Sequence, residues 1–485
     1  MEQLDLWSGK SRVSFAHEKT RLIPFAKKGW YKHPPYCSYA GKSFKLERNL
    51  KMLGVILDDR LNGLPHIEYT GEKMLRILNR LTIAKHKRGL SGKVLKVLYK
   101  RALERILVYA APAWWRGTVN QKNRLSSIQR KVLLAITGAF RTTSTVALQV
   151  ASGIEPIDLV CDLDSAWYDI KKNHADLTLY GTRVEGSKME VAESAPTHPS
   201  TWTTVQWDKC ITNSDLTIFT DGSKIEGQVG AAFCITSETD SQEHLFRLSD
   251  HCSVFQAEAV AIQEAIKWRK KHRPQSICHI HTDSLSVLLA LQNHKISHHL
   301  IHRIRSHLDG NINLHWVKAH IGIEGNEAAD RAAKEAATKD MVDVPLGIPQ
   351  NSIKRQLKDL LVSEWQQRWD KTSENGRVTH GIFPQVKRSR CLFNSFDVQL
   401  VTNHGLCPQY LRRFNLRSCS CRCGEDERDD LHHYVFSCPL LGHLRRRIRP
   451  GDQILKVLSH PLLREEMRLI LRTVFLNERN LFQEL

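Results

Sequence analysis

Four acidic side chains and one histidine within residues 215–340 have the residue types needed to bind cations or to move protons. Asp221 and Asp283 each follow an apolar run and a threonine, in FTDGS and IHTDS. Glu258 lies in the apolar pattern FQAEAVAIQEAI, and Asp330 lies in the alanine-rich pattern NEAADRAAKEAA. Because an unpaired carboxylate in apolar surroundings is costly, each of these acids needs a structural reason.

Taken singly, each acid could be a helix cap, a turn residue or a salt-bridge partner. Taken together, acids at the ends of two neighbouring strands and on two covering helices predict four carboxylates at one edge of a sheet. Like charges that close raise one another's pKa unless cations neutralise them. A site of oxygen ligands suits two Mg²⁺ or Mn²⁺ ions, which can activate water and stabilise the leaving oxygen of a phosphodiester.

The stretch HIGIEGNEAAD places His320 just before the helix that carries Asp330. Gly322 and Gly325 permit backbone angles that other residues resist, and Asn326 suits the N-cap position of a helix. His320 could then shuttle a proton or help the product to leave. A glycine turn followed by a well-capped helix is the alternative that needs no chemistry.

The elements around these residues alternate between strand and helix patterns. Three strand patterns precede an amphipathic helix pattern, and strands and helices then alternate up to residue 340. This order predicts an α/β fold in which a mixed sheet has helices on its faces. The strand patterns are LTIFTDGS, QVGAAFCIT, HLFRLSDH, SICHIHTDS and INLHWVKAH.

The ordered set FTDGS, QAEAVAIQEAI, IHTDS and WVKAHIGIEGNEAAD resembles ribonuclease H, the family that cuts the RNA strand of RNA–DNA hybrids. The resemblance implies a ribonuclease H-like mixed sheet of five strands with flanking helices. It also implies that Asp221, Glu258, Asp283 and Asp330 bind metal and that His320 is a mobile catalytic histidine. Little chain separates Asp283 from His320, so the basic flanks are expected to bind the hybrid.

A cysteine-rich stretch, CSCRCGEDERDDLHHYVFSCP at 419–439, has residues that could close a tetrahedral Zn²⁺ site. It resembles the small C-terminal zinc module of retrotransposon polyproteins. The spacing of His433 from Cys438 matches that module. Cys419 could replace Cys421, and His432 could replace His433. The ligands expected are Cys421, Cys423, His433 and Cys438.

The chain has 485 residues, a formal net charge of +20 and 12 cysteines. Its length predicts two to four domains. The basic excess lies at the two ends, in residues 1–150 and 341–485, and this predicts a nucleic-acid partner. The sequence has no membrane-spanning run and no secretory signal pattern, which predicts an intracellular protein without a membrane partner. The resemblance to retrotransposon polyproteins implies that the protein acts in the nucleus.

Residues 45–158 resemble the end of the palm and the thumb of reverse transcriptases from non-LTR (LINE-type) retrotransposons. The stretches that carry this resemblance are LKMLGVILDDRL, GLSGKVLKVLYKRALERILVYAAPAWW and IQRKVLLAITGAFRTTSTVALQVASGIEPIDL. In that family the LGVxLD segment follows the catalytic strand, so Asp58 and Asp59 are not expected to be polymerase aspartates.

Together these features predict a fragment of a non-LTR retrotransposon polyprotein that has ribonuclease H activity and lacks polymerase catalytic motifs. The alternative is a catalytically idle nucleic-acid-binding protein that derives from a retrotransposon. The expected domains are a remnant reverse transcriptase at 1–160, a linker at 161–214, the ribonuclease H domain at 215–340 and a helical, zinc-binding region at 341–485.

Overall fold

A computed structural model of the chain describes residues 2–13, 16, 19–25, 38–39, 42–88, 90–191, 205–209, 216–236, 241–293, 298–372, 376–425 and 429–483. The chain divides into two compact units. The first contains Met1–Asp169 and Leu357–Leu485, and the second contains Ile170–Gln356. Within the described ranges, no helix is both long enough and apolar enough to cross a bilayer.

The N-terminal part of the first unit is helical from residue 64 onward. Ile67, Met74 and Leu78 recur at helical spacing and are buried. The elements are α1 (Glu2–Ser11), β1 (Ser38–Tyr39), β2 (Lys42–Ser43), β3 (Asn49–Met52), β4 (Val55–Asp58), α2 (Leu64–Arg88), α3 (Gly92–Leu98), a π-helical turn (Tyr99–Leu103), α4 (Glu104–Leu107), α5 (Ala111–Trp114), α6 (Val119–Thr137), α7 (Thr145–Ser152) and α8 (Ile157–Asn173).

The apolar pattern of KMLGVIL, at 51–57, predicts one strand, but the stretch contains the turn of a hairpin. β3 and β4 pair antiparallel, with Met52 opposite Val55. Leu53 and Gly54 both have positive φ, 48° and 87°, as a tight hairpin turn of this length requires. A leucine at the first turn position does not predict a turn, because leucine rarely adopts positive φ. The patterns RVSFAH and TRLIPFA, at 12–17 and 20–26, also predict strands, and they lie partly outside the described residues.

The carboxylate of Asp58 organises the turn that follows this hairpin. It accepts hydrogen bonds from the backbone N–H groups of Arg60, Asn62 and Gly63 at 3.1, 3.0 and 2.8 Å. Asp58 is buried, and these three N–H groups compensate its negative charge. Asp58 has a structural use in the turn that leads into α2.

The mixed sheet lies in the second unit. The strands of this unit are β5 (Leu177–Leu179), β6 (Thr182–Val184), β7 (Trp207–Asp208), β8 (Thr217–Ile225), β9 (Gln228–Thr236), β10 (Ser241–Leu248), β11 (Cys278–Thr282) and β12 (Ile312–Trp316). Its helices are α9 (Val254–His272), α10 (Leu285–Gln292), α11 (His299–His307) and α12 (Glu324–Ala337).

The large sheet has six strands in the order β10-β9-β8-β11-β12-β7, so the expectation of five strands is wrong. The sixth strand, β7, pairs parallel with β12 through Trp207 opposite Leu314 and Asp208 opposite His315. It is only two residues long and comes from the polar stretch interpreted as a linker, where no period marks a strand. Residues 192–204 and 210–215 of that stretch lie outside the described residues.

Alternation along the strands divides the core between the two faces of the sheet. Ile218, Ile280 and Leu314 pack with α9, α10 and α11 on one face. Phe219, Ala232 and Cys234 pack against the alanines of α12 on the other. The small side chains of α12 allow this helix to approach β8 and β9 closely.

The C-terminal part of the first unit is helical. Asp397, which is fully buried, is held by the guanidinium groups of Arg464 and Arg468, with Arg468 donating at 2.8 Å and 2.7 Å to the two carboxylate oxygens. The elements are α13 (Gln350–Asp370), α14 (Arg377–Ile382), α15 (Ser395–Thr402), α16 (Pro408–Arg413), α17 (Leu431–Phe436), α18 (Ile454–Ser459) and α19 (Pro461–Gln483).

Asp397→Asn should destabilise the packing of α15 against α19 by about 2–4 kcal/mol, because it leaves two guanidinium groups without their anion. Hydrogen exchange of the α15 and α19 amides measures this local free energy of unfolding. The matched control is Glu68→Gln, which removes an exposed pair with Arg124 at 3.4 Å and should cost less than about 1 kcal/mol. Equal effects of the two substitutions would contradict the assigned role of Asp397.

Candidate functional site

Three of the four expected acids converge beside the central strands β8 and β11, where β11 ends. β8 and β11 pair parallel, with Thr220 opposite Thr282, so that the next residues, Asp221 and Asp283, lie side by side. Glu258 reaches the same place from α9. One oxygen from each of these three carboxylates lies within 4.8 Å of the others. Asp221 is inside β8, which continues to Ile225, rather than at the end of a strand.

Close packing between β8 and α9 brings Glu258 to the strand. A Cβ atom at Gly222 would lie 2.4 Å from the backbone nitrogen of Glu258 and 2.8 Å from Ala257. Only glycine permits this approach. The Oε2 atom of Glu258 is buried and has no hydrogen-bond partner among the described residues. An oxygen in that state is available to a cation.

The electrostatics of the metal-free cluster are unfavourable to three negative charges. Burial, then Asp283 and Asp330, raise the pKa of Asp221 to about 7. Burial, then Asp221 and Asp283, raise the pKa of Glu258 well above its usual range. Burial is also the main cause of the raised pKa of Asp283. A divalent cation would reverse these shifts by favouring the ionised forms.

Asp330 lies near the three acids but is not one of the mutually close group. Its charge contributes to the raised pKa of both Asp221 and Asp283. Its Oδ2 atom accepts a hydrogen bond of 2.6 Å from Lys334, one turn later on α12. Residues four positions apart lie on the same face of a helix, which brings the side chains of Asp330 and Lys334 together.

His320 is exposed in the loop before α12, where its φ is 54°. Its charge lowers the pKa of Asp283, which places it within electrostatic reach of the acids. Gly322 has a φ of 86° and open space around it, as a loop glycine should. Gly325 instead lies inside α12, where a Cβ atom would meet the ring of Phe219 at 2.3 Å. The expectation that both glycines provide unusual backbone angles is therefore wrong for Gly325, which instead allows α12 to pack closely on Phe219.

Asn326 has a different role from the helix cap expected of it. α12 begins at Glu324, with Ile323 as its N-cap, so Asn326 lies within the first turn. It is buried, and its Nδ2 atom donates to Asp283 Oδ2 at 3.4 Å. Asn326 thus orients one of the acids. Its spacing of four residues from Asp330 was the available signal that both face the sheet edge.

A second cluster of ligand-type side chains lies in the first unit. Cys421, Cys423, His433 and Cys438 each place one ligand atom within 4.8 Å of the others. The Sγ atoms of Cys421 and Cys438 are 3.8 Å apart, and Cys423 Sγ is 3.2 Å from His433 Nε2. Ligand atoms around tetrahedral zinc are separated by about 3.3–3.8 Å, so this group has the dimensions of such a site.

The surroundings of this cluster hold its members in place. The carboxylate of Asp429 accepts from the backbone N–H of Cys421 at 3.0 Å, and that of Asp430 accepts from the backbone N–H of His433 at 2.8 Å. Cys419 and His432, the alternative ligands, are not in the group. His432 Nε2 instead lies 3.0 Å from the carbonyl oxygen of Leu400.

The chain matches the family model described as RNase H over residues 213–338. This range contains the three converging acids, Asp330 and His320. It ends within one residue of α12, the last helix packed on the sheet.

Three relatives are similar to parts of the chain. A "Putative 115 kDa protein in type-1 retrotransposable element R1DM" of Drosophila melanogaster is 27% identical over 36% of this chain and 17% of the relative. A "Retrovirus-related Pol polyprotein from type-1 retrotransposable element R1 4" of Nasonia vitripennis is 31% identical over 27% of this chain and 34% of the relative. A Pol polyprotein from the element R1 of Popillia japonica is 30% identical over 41% of this chain and 82% of the relative. The chain therefore spans a minor part of the first two relatives and most of the third.

Asp221→Asn should stabilise the metal-free protein above pH 7. The aspartate loses its proton near pH 4 when unfolded and near pH 7 when folded, so the folded state binds more protons between these values. The free energy of unfolding of the unsubstituted chain then falls as pH rises from about 4 to about 7, by about 2–4 kcal/mol. The amide that replaces the carboxyl group does not titrate, so the variant should lack the part of this fall that comes from residue 221, while Glu258 and Asp283 still contribute theirs.

Urea unfolding of both proteins in the presence of a chelator, at pH 4 and at pH 8, measures the difference. The two should agree at pH 4 and diverge at pH 8, and Mg²⁺ should stabilise the unsubstituted chain more than the variant. A variant less stable than the unsubstituted chain at pH 8 without metal would contradict the raised pKa.

Proposed function

Because this chain belongs to the Pol polyproteins of non-LTR, type-1 retrotransposons and contains a ribonuclease H domain, we propose that residues 215–340 cleave the RNA strand of RNA–DNA hybrids in a divalent-metal-dependent reaction. The observation that carries the proposal is the convergence of Asp221, Glu258 and Asp283 within 4.8 Å. Buried carboxylates at such distances have little structural value by themselves.

Asp221, Glu258 and Asp283 would hold Mg²⁺ or Mn²⁺, with Asp330 completing the set for a second ion once it is released from Lys334. When bound, such ions lower the pKa of an attacking water and stabilise the leaving oxygen of a phosphodiester. Oxygen-only ligands favour these hard cations over zinc. Asn326 orients Asp283 through its 3.4 Å hydrogen bond.

His320 is assigned to proton transfer or product release. It is exposed and lies on a loop with open space at Gly322, so its imidazole can move towards the acids. An imidazole has one ring nitrogen that can accept a proton and one that can donate it, which suits such a role.

The protein is expected to bind the hybrid through its sugar-phosphate backbone and groove shape rather than through its base sequence. Hybrids present 2′-hydroxyl groups in a wide minor groove, which proteins contact without reading base sequence. Lys73, Arg76 and Arg80 are exposed on one face of α2 at helical spacing and have the charge needed to contact phosphates. They support a role for the basic N-terminal region, with the basic C-terminal region, in holding nucleic acid.

A structural zinc ion is assigned to Cys421, Cys423, His433 and Cys438. Three thiolates and an imidazole form a ligand set that selects zinc over Mg²⁺. Ser437 Oγ lies 3.2 Å from His433 Nδ1 and can fix the tautomer in which Nε2, beside Cys423, is the ligand atom.

Asp221→Asn should reduce cleavage of a labelled RNA–DNA hybrid in Mg²⁺ by about a thousandfold or more, because it removes a charge that holds the ions. Binding of the hybrid should remain and should weaken with added salt. The matched control is Glu335→Gln, an exposed acid later on α12, which should cleave normally.

Single-stranded RNA and a chelator provide the negative controls for this assay. If the unsubstituted chain binds hybrid in Mg²⁺ or Mn²⁺ but never cuts it, the chain is the catalytically idle nucleic-acid-binding protein instead.

Cys438→Ser should lower the zinc content of the purified chain by one equivalent and speed hydrogen exchange in α17, because three ligands hold zinc less tightly than four. Mass spectrometry of metal content and of exchange gives both values. Cys391→Ser is the control, since Cys391 lies outside the group. Unchanged zinc content in the Cys438 variant would remove this assignment.

A further inference from the structure

A third group of ligand-type side chains lies in the second unit, separate from the cluster of Asp221, Glu258 and Asp283 and from the cysteine cluster. Glu190, His298 and His299 each place one ligand atom within 4.8 Å of the others. Glu190 Oε2 is 3.6 Å from His298 Nε2 and 3.9 Å from His299 Nδ1. Two nitrogen ligands and one oxygen ligand around zinc are about 3.3 Å apart, so Glu190 Oε2 would approach His298 Nε2 by about 0.3 Å and His299 Nδ1 by about 0.6 Å on binding zinc.

The fold holds the carboxylate of Glu190 in place. Gln256 Nε2 donates to Glu190 Oε2 at 3.1 Å, and the backbone N–H of Gln350 donates to Oε1 at 3.4 Å. The neighbouring residue, Met189, forms a β-bridge with Ile348. These contacts supply the outer hydrogen bonds that orient a carboxylate ligand.

The two histidines are also constrained. His298 is the N-cap residue of α11 and His299 begins that helix, so their positions follow from the start of the helix. Their rings stack at 4.8 Å, and Phe255 packs edge-on against His298 at 5.3 Å. The Nδ1 atom of His298 is buried without a hydrogen-bond partner among the described residues.

An ion pair between Glu190 and these histidines does not account for the arrangement. Both separations exceed ordinary hydrogen-bond distances. The carboxylate and the two imidazoles nevertheless lie close enough to one another to share one cation.

We propose that Glu190, His298 and His299 bind a transition-metal ion, zinc in particular, leaving one position for water. Imidazole nitrogens favour zinc, cobalt and nickel over Mg²⁺, which separates this site from the acid cluster. The three side chains come from two segments that are distant in sequence, one with Glu190 and one with His298 and His299. Through Gln256, the site also reaches the start of α9, the helix that carries Glu258. A bound ion would fix the start of α11 and of α9 against the segment at Glu190.

Zinc content of the full chain after dialysis against a weak chelator tests this site. Glu190→Gln and His298→Ala should each lose one equivalent of zinc relative to the unsubstituted chain. The matched controls are Glu185→Gln and His307→Ala, which lie in the same segments but outside the group, and both should retain the full content. Far-ultraviolet circular dichroism checks that each variant is folded.

Cobalt substitution gives an independent spectroscopic measurement. Cobalt at this site should add visible ligand-field bands that are absent from Glu190→Gln and present in Glu185→Gln. The site is overturned if Glu190→Gln and His298→Ala keep the zinc content of their controls, or if Glu190→Gln shows the same cobalt bands as Glu185→Gln. If only the cysteine site failed to bind zinc, the zinc content of every variant would fall equally. The difference in zinc content between Glu190→Gln and its control would then stay the same.

Discussion

Parallel pairing of β8 with β11 fixes the separation of two carboxylates whose charges repel each other. Thr220 and Thr282 are paired in register, so Asp221 and Asp283 must emerge together. A glycine at 222 then allows α9 to bring Glu258 to the same place, and alanines on α12 allow that helix to lie close on the other face. Packing contacts of the unit keep the three acids together, and a cation would remove the electrostatic part of the cost.

The ligand atoms of the three clusters differ in a way that separates their metals. The acids at the sheet edge offer only oxygen, the C-terminal group offers sulfur with one nitrogen, and the Glu190 group offers two nitrogens with one oxygen. Hard cations prefer the first set, and softer transition metals prefer the other two. The nuclease proposal therefore depends on the acid cluster alone, and ions bound at the other two clusters would stabilise the segments around them.

The acids could be found from the sequence because each lies in a local pattern with a defined period. Asp221 and Asp283 follow apolar strand residues and a threonine, and Glu258 interrupts an apolar helix face. The six-stranded sheet confirms the α/β expectation and corrects its strand number. The four residues proposed as zinc ligands were chosen from their spacing and from the resemblance to a zinc module, and the structure places them close together.

Other features depend on contacts between distant residues or on details of local geometry. The role of Asn326 depends on where α12 begins, and helix starts are poorly marked when a glycine precedes the cap. The turn at Leu53 was hidden because leucine rarely adopts positive φ. Glu190 lies in a polar stretch with no period, far from His298 and His299, so no local pattern joins them. The packing of Leu357–Leu485 with Met1–Asp169 in one unit is likewise a long-range property.

The two-residue strand β7 has a consequence for how the sheet meets other molecules. It occupies the outer edge of β12 at Leu314 and His315. Exposed strand edges invite pairing with foreign strands, and proteins often cover them with short segments. Trp207 and Asp208 lie before residue 213, where the family match begins. A fragment cut to the matched residues alone would uncover this edge, and self-association through β12 would follow from the missing cover rather than from any defect in the acid cluster.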